Sequence, residues 1–238
     1  MATTTNFKLL SVYMRESEPS PIRLRFSVDN KFIKYVLAEH GTYPADRYTD
    51  PDEVAVDFPP FPIGPWNVGR LSKDSNSGKS LFSSLETLPL GEVTTVWHPT
   101  KIDYFDLITA GGEEEWWNRE SQRLVTHPSF DKPVVMKISD FPIDMHMSET
   151  ETRAYKMLQG TGIAPEFLGH VTEGGRVIGF LREHIPGAGC PGVSDINICH
   201  EALERLYELG IIYHSDCLES FLIKDSKVHI VDFESAEF

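Results

Sequence analysis

Between Ile22 and Val36 apolar and polar positions alternate: Arg23, Arg25 and Ser27 separate Ile22, Leu24, Phe26 and Val28, and Phe32, Ile33, Tyr35 and Val36 follow Asp29-Asn30. A period of two around such a break predicts a β-hairpin. The pattern then dissolves. From Gly41 to Gly91 Pro, Gly, Asp and Ser dominate, and Phe58-Pro-Pro-Phe-Pro-Ile-Gly-Pro-Trp66 is too rich in proline for a helix or a central strand. An irregular arm packed by its aromatics is expected. Strand-like runs return at Val93–Trp97, Ile102–Ile108, Arg123–His127 and Val134–Ile138, around the acidic turn Gly111-Gly-Glu-Glu-Glu115, and predict one antiparallel sheet.

Helical spacing comes next. Ala154, Tyr155 and Leu158 form an apolar stripe after Ser148 and before Gly160 and Gly162. Short strands near Gly169–Val171 and Val177–Leu181 flank the Glu173-Gly-Gly175 turn. Ala202, Leu203, Leu206 and Leu209 mark a second helix, capped by Ser194 or Asp195 and ended by Gly210. Phe221–Ile223 and Val228–Val231 around Asp225-Ser226 read as a last hairpin. The class is therefore α+β, with an N-terminal β-hairpin and Pro-rich arm over 1–92, packed on a core over 93–238.

A chain of 238 residues, 40% of them hydrophobic, can bury a substantial core. Its 36 acidic against 22 basic side chains give a net charge of −14, which argues against nucleic acid and anionic membranes as partners. No apolar run is long enough for a membrane span, and residues 1–10 lack the features of a signal peptide, so a cytoplasmic location is expected. Cys190, Cys199 and Cys217 fit no zinc or disulfide framework and are read as thiols. The histidines show no ligand spacing.

Ser75-Asn-Ser-Gly-Lys-Ser80 ends like a phosphate-binding loop, but Lys73 stands where the first glycine belongs, so it reads as a plain turn. A wider constellation carries more. Val134-Val-Met-Lys-Ile138, a helix bearing Glu149 or Glu151, His214-Ser-Asp216 and Val231-Asp-Phe-Glu234 occur in the order and spacing of a kinase-like fold. There a strand lysine grips donor phosphates and is held by a helix carboxylate. The H-x-D aspartate serves an acceptor hydroxyl, and the D-F-x aspartate holds Mg²⁺.

Phe58–Asn67, Trp97–Leu107, Glu151–Tyr155, Pro165–Glu183, His214–Ile223 and Val231–Glu234 also resemble, stretch by stretch, a fungal kinase-like family of uncharacterised proteins often labelled α-galactosidase. Its D-F-E ending is similar to those of choline and aminoglycoside kinases, and some members resemble terpenoid glycosyltransferases. The resemblance implies a kinase-like N-lobe over about 93–183 and a truncated C-lobe over about 184–238. It implies Asp216 as general base with His214 organising its loop. Lys137 and Glu151 would grip the donor, with Glu183 at the segment that meets the nucleotide base. Asp232 would hold Mg²⁺ or Mn²⁺ together with Ser220.

Two departures bear on the chemistry. The Asp216–Phe221 loop is one residue short, which puts Ser220 where the family has a metal-binding Asn, and the acidic Gly111–Glu115 turn replaces a glycine-rich phosphate cover. Only six residues follow Asp232, so the activation segment and peptide-docking lobe of protein kinases are not expected. The first expectation is therefore glycosyl transfer from a nucleotide sugar, a UDP-sugar such as UDP-GlcNAc, to a hydroxyl of a small hydrophobic natural product such as a terpenoid. A small-molecule kinase and a non-catalytic nucleotide-binding protein are the alternatives. Trp116 or Trp117 could line an acceptor pocket, although packing is the plainer role for both.

Overall fold

The computed structural model describes residues 2–14, 21–43, 58–110, 121–215 and 217–238. Asp216, the Gly111–Glu115 turn and Trp116-Trp117 lie outside them. The chain divides into two compact units, Met1–Leu90 and Gly91–Phe238.

In the first unit, β1 (Thr3–Thr4) pairs with β5 (Phe61–Pro62). The remaining strands, β2 (Phe7–Tyr13), β3 (Ile22–Val28), β4 (Phe32–Ala38), β6 (Val68–Lys73) and β7 (Ser80–Glu86), form one sheet in the order β2-β3-β4-β6-β7. The expected hairpin is β3–β4, and Asp29 and Asn30 both adopt positive φ in its turn, which the Lys31 amide closes onto the Val28 carbonyl at 3.2 Å. The arm is less irregular than its composition suggests, because β6 and β7 lie inside it. Glycine and serine weaken the strand signal there, and packing overrides propensity. A Cβ on Gly69 would stand 2.9 Å from the Phe82 ring and 3.1 Å from Trp66, so glycine lets these rings lie on the strand. Phe26, Phe58, Phe61 and Trp66 make the core, with Phe7 and Phe82 against it. The Ser75–Ser80 stretch is the β6–β7 turn, where Asp74 accepts hydrogen bonds from the Asn76 and Ser77 amides and the Ser77 hydroxyl.

The second unit carries a six-stranded sheet of β8 (Lys101–Asp103), β9 (Ile108–Thr109), β10 (Gln122–Thr126), β11 (Val134–Ile138), β12 (Phe167–Glu173) and β13 (Arg176–Glu183), ordered β8-β12-β13-β11-β10-β9. It is mixed rather than antiparallel throughout, since β8 runs parallel to β12. Two other expectations change. Val93–Trp97 forms no strand: the Glu149 carboxylate takes its Thr94 and Thr95 amides. Ile102–Ile108 is broken by a 3₁₀ turn at Tyr104–Asp106, capped by Asp103.

Helix α1 (Met145–Met157) packs on β13, and α2 (Ile196–Glu208) on the final hairpin of β14 (Phe221–Lys224) and β15 (Lys227–Ile230). These are the two α-helices among the described residues, and neither is long and apolar enough to cross a membrane. The unit is α+β with sheet predominating. A column of rings ties its layers together: Phe167 to Tyr155 (5.9 Å), Tyr155 to Phe233 (5.6 Å), Phe233 to Tyr213 (5.5 Å) and Tyr213 to Phe221 (6.1 Å). Phe233 has no exposed surface, and this fixes its neighbour Asp232 at the end of the column.

Candidate active site

Four side chains from three segments meet in the second unit. Lys137, on β11, directs its ammonium to Glu151 of α1 (Nζ–Oε2 2.8 Å), to Asp232 (Nζ–Oδ1 2.8 Å) and to Glu234 (Nζ–Oε1 2.9 Å). Val134, Val135, Met136 and Ile138 are buried around Lys137 and hold the strand. The helix carboxylate is Glu151, since Glu149 is spent on Thr94 and Thr95. Glu151 is 1% exposed and also accepts from the Phe233 amide through Oε1 at 3.4 Å.

Asp232 takes φ of 68°, a left-handed conformation rare for a non-glycine residue and held here by its surroundings. Val231, just before it, has both backbone groups fixed: its N–H donates to the Ser220 carbonyl (2.9 Å) and its C=O accepts from the Tyr213 hydroxyl (2.7 Å). Burial raises the Tyr213 phenol to about 12, although the Ser220 and Ser215 hydroxyls act to lower it, so it stays a proton donor near neutral pH.

Burial works against the charge on Lys137, yet Glu151, Asp232 and Glu234 outweigh it and hold the ammonium well above its ordinary range. Burial pushes Glu151 upward, opposed by Lys137 and reinforced by Asp232 and Glu234. Three carboxylates share one ammonium, which leaves two negative charges to be met by solvent, a proton or a cation. Oxygens of Glu151, Asp232 and Glu234 all lie within 4.8 Å of one another, and Asp232 and Glu234 are the accessible pair.

The other expected residues fall nearby or elsewhere. Ser220 is buried with its hydroxyl 3.0 Å from that of Ser215, and this hydrogen bond supports the loop. His214 faces Glu237 (Nε2–Oε1 3.4 Å) on the surface. Glu183 ends β13, its amide bonded to the Glu166 carbonyl at 2.8 Å. Its side chain lines two open cavities of about 610 and 500 Å³.

A smaller cavity of about 120 Å³ adjoins the charged cluster, with Val135 and Leu222 as apolar walls and Gln122, Arg182, His184 and Glu219 among its polar lining. Gln122 lies opposite Lys137 in the β10–β11 register, Val135 shares a face of β11 with Lys137, and Val231 precedes Asp232. Glu234, Tyr213 and Arg182 are the residues sequence reasoning passed over. For Arg182 there was a signal: an arginine directly after the apolar Val177–Leu181 run.

No protein-family model matches the sequence, and comparison with curated proteins finds no match.

Proposed function

We propose that the second unit is a kinase-like, metal-assisted transferase that takes a group from a nucleotide-linked donor. The observation that carries this reading is the convergence of Lys137, Glu151 and Asp232 within 2.8 Å contacts, from segments 95 positions apart at the extremes. In such a cleft Lys137, locked by Glu151, meets the donor's phosphate oxygens. Asp232 and Glu234 would hold Mg²⁺ or Mn²⁺, which when bound neutralises charge on the diphosphate leaving group. Asp216, next to Ser215 of the hydroxyl pair, takes the proton of the acceptor hydroxyl as that oxygen bonds to the transferred group.

The transferred group is a sugar, the donor a UDP-sugar, and the acceptor a small hydrophobic alcohol. Serine at position 220, where ATP chemistry in this fold uses an asparagine as metal ligand, favours this over phosphoryl transfer. The sugar itself rests on the family resemblance of the sequence. Incubation with UDP-GlcNAc and other nucleotide sugars, Mg²⁺ and a panel of terpenoid alcohols should release the nucleoside diphosphate and add one sugar mass to an acceptor. ATP consumption in place of sugar transfer would make the protein a small-molecule kinase. Failure of every nucleotide to bind would overturn the reading.

A further inference from the structure

Arg182 is 6% exposed, yet its guanidinium forms no ion pair with any described carboxylate. Its one hydrogen bond among the described residues runs from Nη1 to the Glu183 carbonyl at 3.3 Å. Buried charges are ordinarily paired, because a guanidinium withdrawn from water without an acceptor set loses more hydration than one long bond returns. The side chain has a direction as well. Arg182 lies opposite Val135 in the β11–β13 register, so it stands on the face of the sheet that carries Val135 and Lys137, and it lines the 120 Å³ cavity. Glu219 lines the same cavity, but its Oε2 lies 3.6 Å from the Cys217 thiol and makes no ion pair with Arg182.

We infer that Arg182 reads the nucleobase of the donor and selects a base whose edge carries a carbonyl where adenine and cytosine carry an amino group, that is uracil through O4 or guanine through O6. The inference rests on the nucleotide reading of the Lys137 cleft and names which nucleotide. Diphosphate at Lys137 puts the base in the adjoining cavity between Val135 and Leu222, where Arg182 supplies only donors. Uracil O4 and guanine O6 are acceptors that satisfy a guanidinium, with guanine N7 completing a bidentate pair. Adenine and cytosine place an amino donor at the equivalent position, which would face Arg182 donor to donor. Rejection through a mismatched polar edge is strong because both groups are left unsatisfied.

The test measures binding of UDP, GDP, CDP and ADP, each with Mg²⁺, to the wild-type protein and to Arg182→Met and Arg182→Lys by calorimetry. UDP or GDP should bind at least tenfold more tightly than CDP and ADP, and Arg182→Met should abolish that preference while leaving CDP and ADP affinities within about threefold. Comparison of UDP with GDP separates uracil from guanine. Equal affinity for all four, or preference for ADP, in the wild-type protein overturns the base assignment while nucleotide binding stands, and needs no variant to fold. Absence of binding by every nucleoside diphosphate overturns the transferase reading and this inference with it. A preference unchanged in folded Arg182→Met assigns selection to another group and also refutes the inference.

Discussion

Lys137 and Asp232 are 95 positions apart, and the ammonium of one lies 2.8 Å from the carboxylate of the other. The contact joins the central strand of the second unit to a turn whose left-handed backbone is fixed by Tyr213, Ser220 and, through the Phe233 amide, Glu151. Because Glu151 serves both Lys137 and Phe233, the lysine and the aspartate are set by one support.

Lys137→Met should destabilise the second unit by about 3–5 kcal/mol at pH 7.5, since it leaves buried Glu151 without its cation beside Asp232 and Glu234. The lysine is held charged above its ordinary value, so in the wild-type protein it keeps its proton throughout the range below about pH 10. In the variant Glu151 relieves the repulsion by taking up a proton. The deficit in urea unfolding should therefore shrink at pH 5.5, and millimolar Mn²⁺ should reduce it at pH 7.5. A deficit independent of both would show that Lys137 acts only through packing.

His170 has no exposed surface, and its Nε2 accepts from the Trp97 and His98 amides at 3.2 and 3.3 Å, which places the proton on Nδ1. Burial, with His98 and Lys101 adding, lowers its pKa to about 4. The unfolded chain takes up this proton near pH 6.5 and the folded one does not, so stability falls as pH drops from about 6.5 toward 4, by about 1–3 kcal/mol after solvent screening. His170→Gln retains an acceptor and should flatten that part of the profile. An unchanged slope between pH 7 and 4.5 would exclude His170 as its source.

Gly179, paired with Ile138, leaves no room for a side chain between β13 and β11. A Cβ there would stand 2.2 Å from the Lys137 carbonyl oxygen and 2.6 Å from the Ile138 Cα, both backbone atoms that cannot swing aside. Gly179→Ala should cost about 2–4 kcal/mol in chemical denaturation and weaken nucleotide binding by displacing Lys137. A loss below about 0.5 kcal/mol would mean that the two strands separate freely.

Much of this was legible in the sequence because it is local. Val134–Ile138 is β11 as read, the Asp29-Asn30 and Asp225-Ser226 hairpins stand where their turns indicate, and the order of Lys137, Glu151 and Asp232 was enough to bring them together. What escaped depends on partners remote in the chain. β6 and β7 are strands because rings from Phe58 to Trp66 cover them, not because Gly69 or Ser83 favours extension. The parallel β8–β12 pairing has no local mark. Helical spacing alone left both Glu149 and Glu151 as candidates, the resemblance pointed to Glu151, and the reason Glu149 is excluded lies more than 50 positions away in Thr94 and Thr95. Ser220 fell at a ligand position by loop spacing, and its hydrogen bond to the Ser215 hydroxyl has no mark in the sequence.

The most direct measurement is thermal unfolding of the wild-type protein and of Asp232→Asn with Mg²⁺ alone, UDP alone and both together. A ligand present at about 100 times its Kd and bound only to the folded state stabilises by roughly 2.7 kcal/mol. The wild-type protein should gain stability of that order from Mg²⁺ and UDP together and much less from either alone, and Asp232→Asn should lose the joint gain while keeping its own unfolding midpoint. An identical joint gain in Asp232→Asn, or none in the wild-type protein with any nucleoside diphosphate, would contradict the assignment of the Lys137–Asp232 cleft as a metal–nucleotide site.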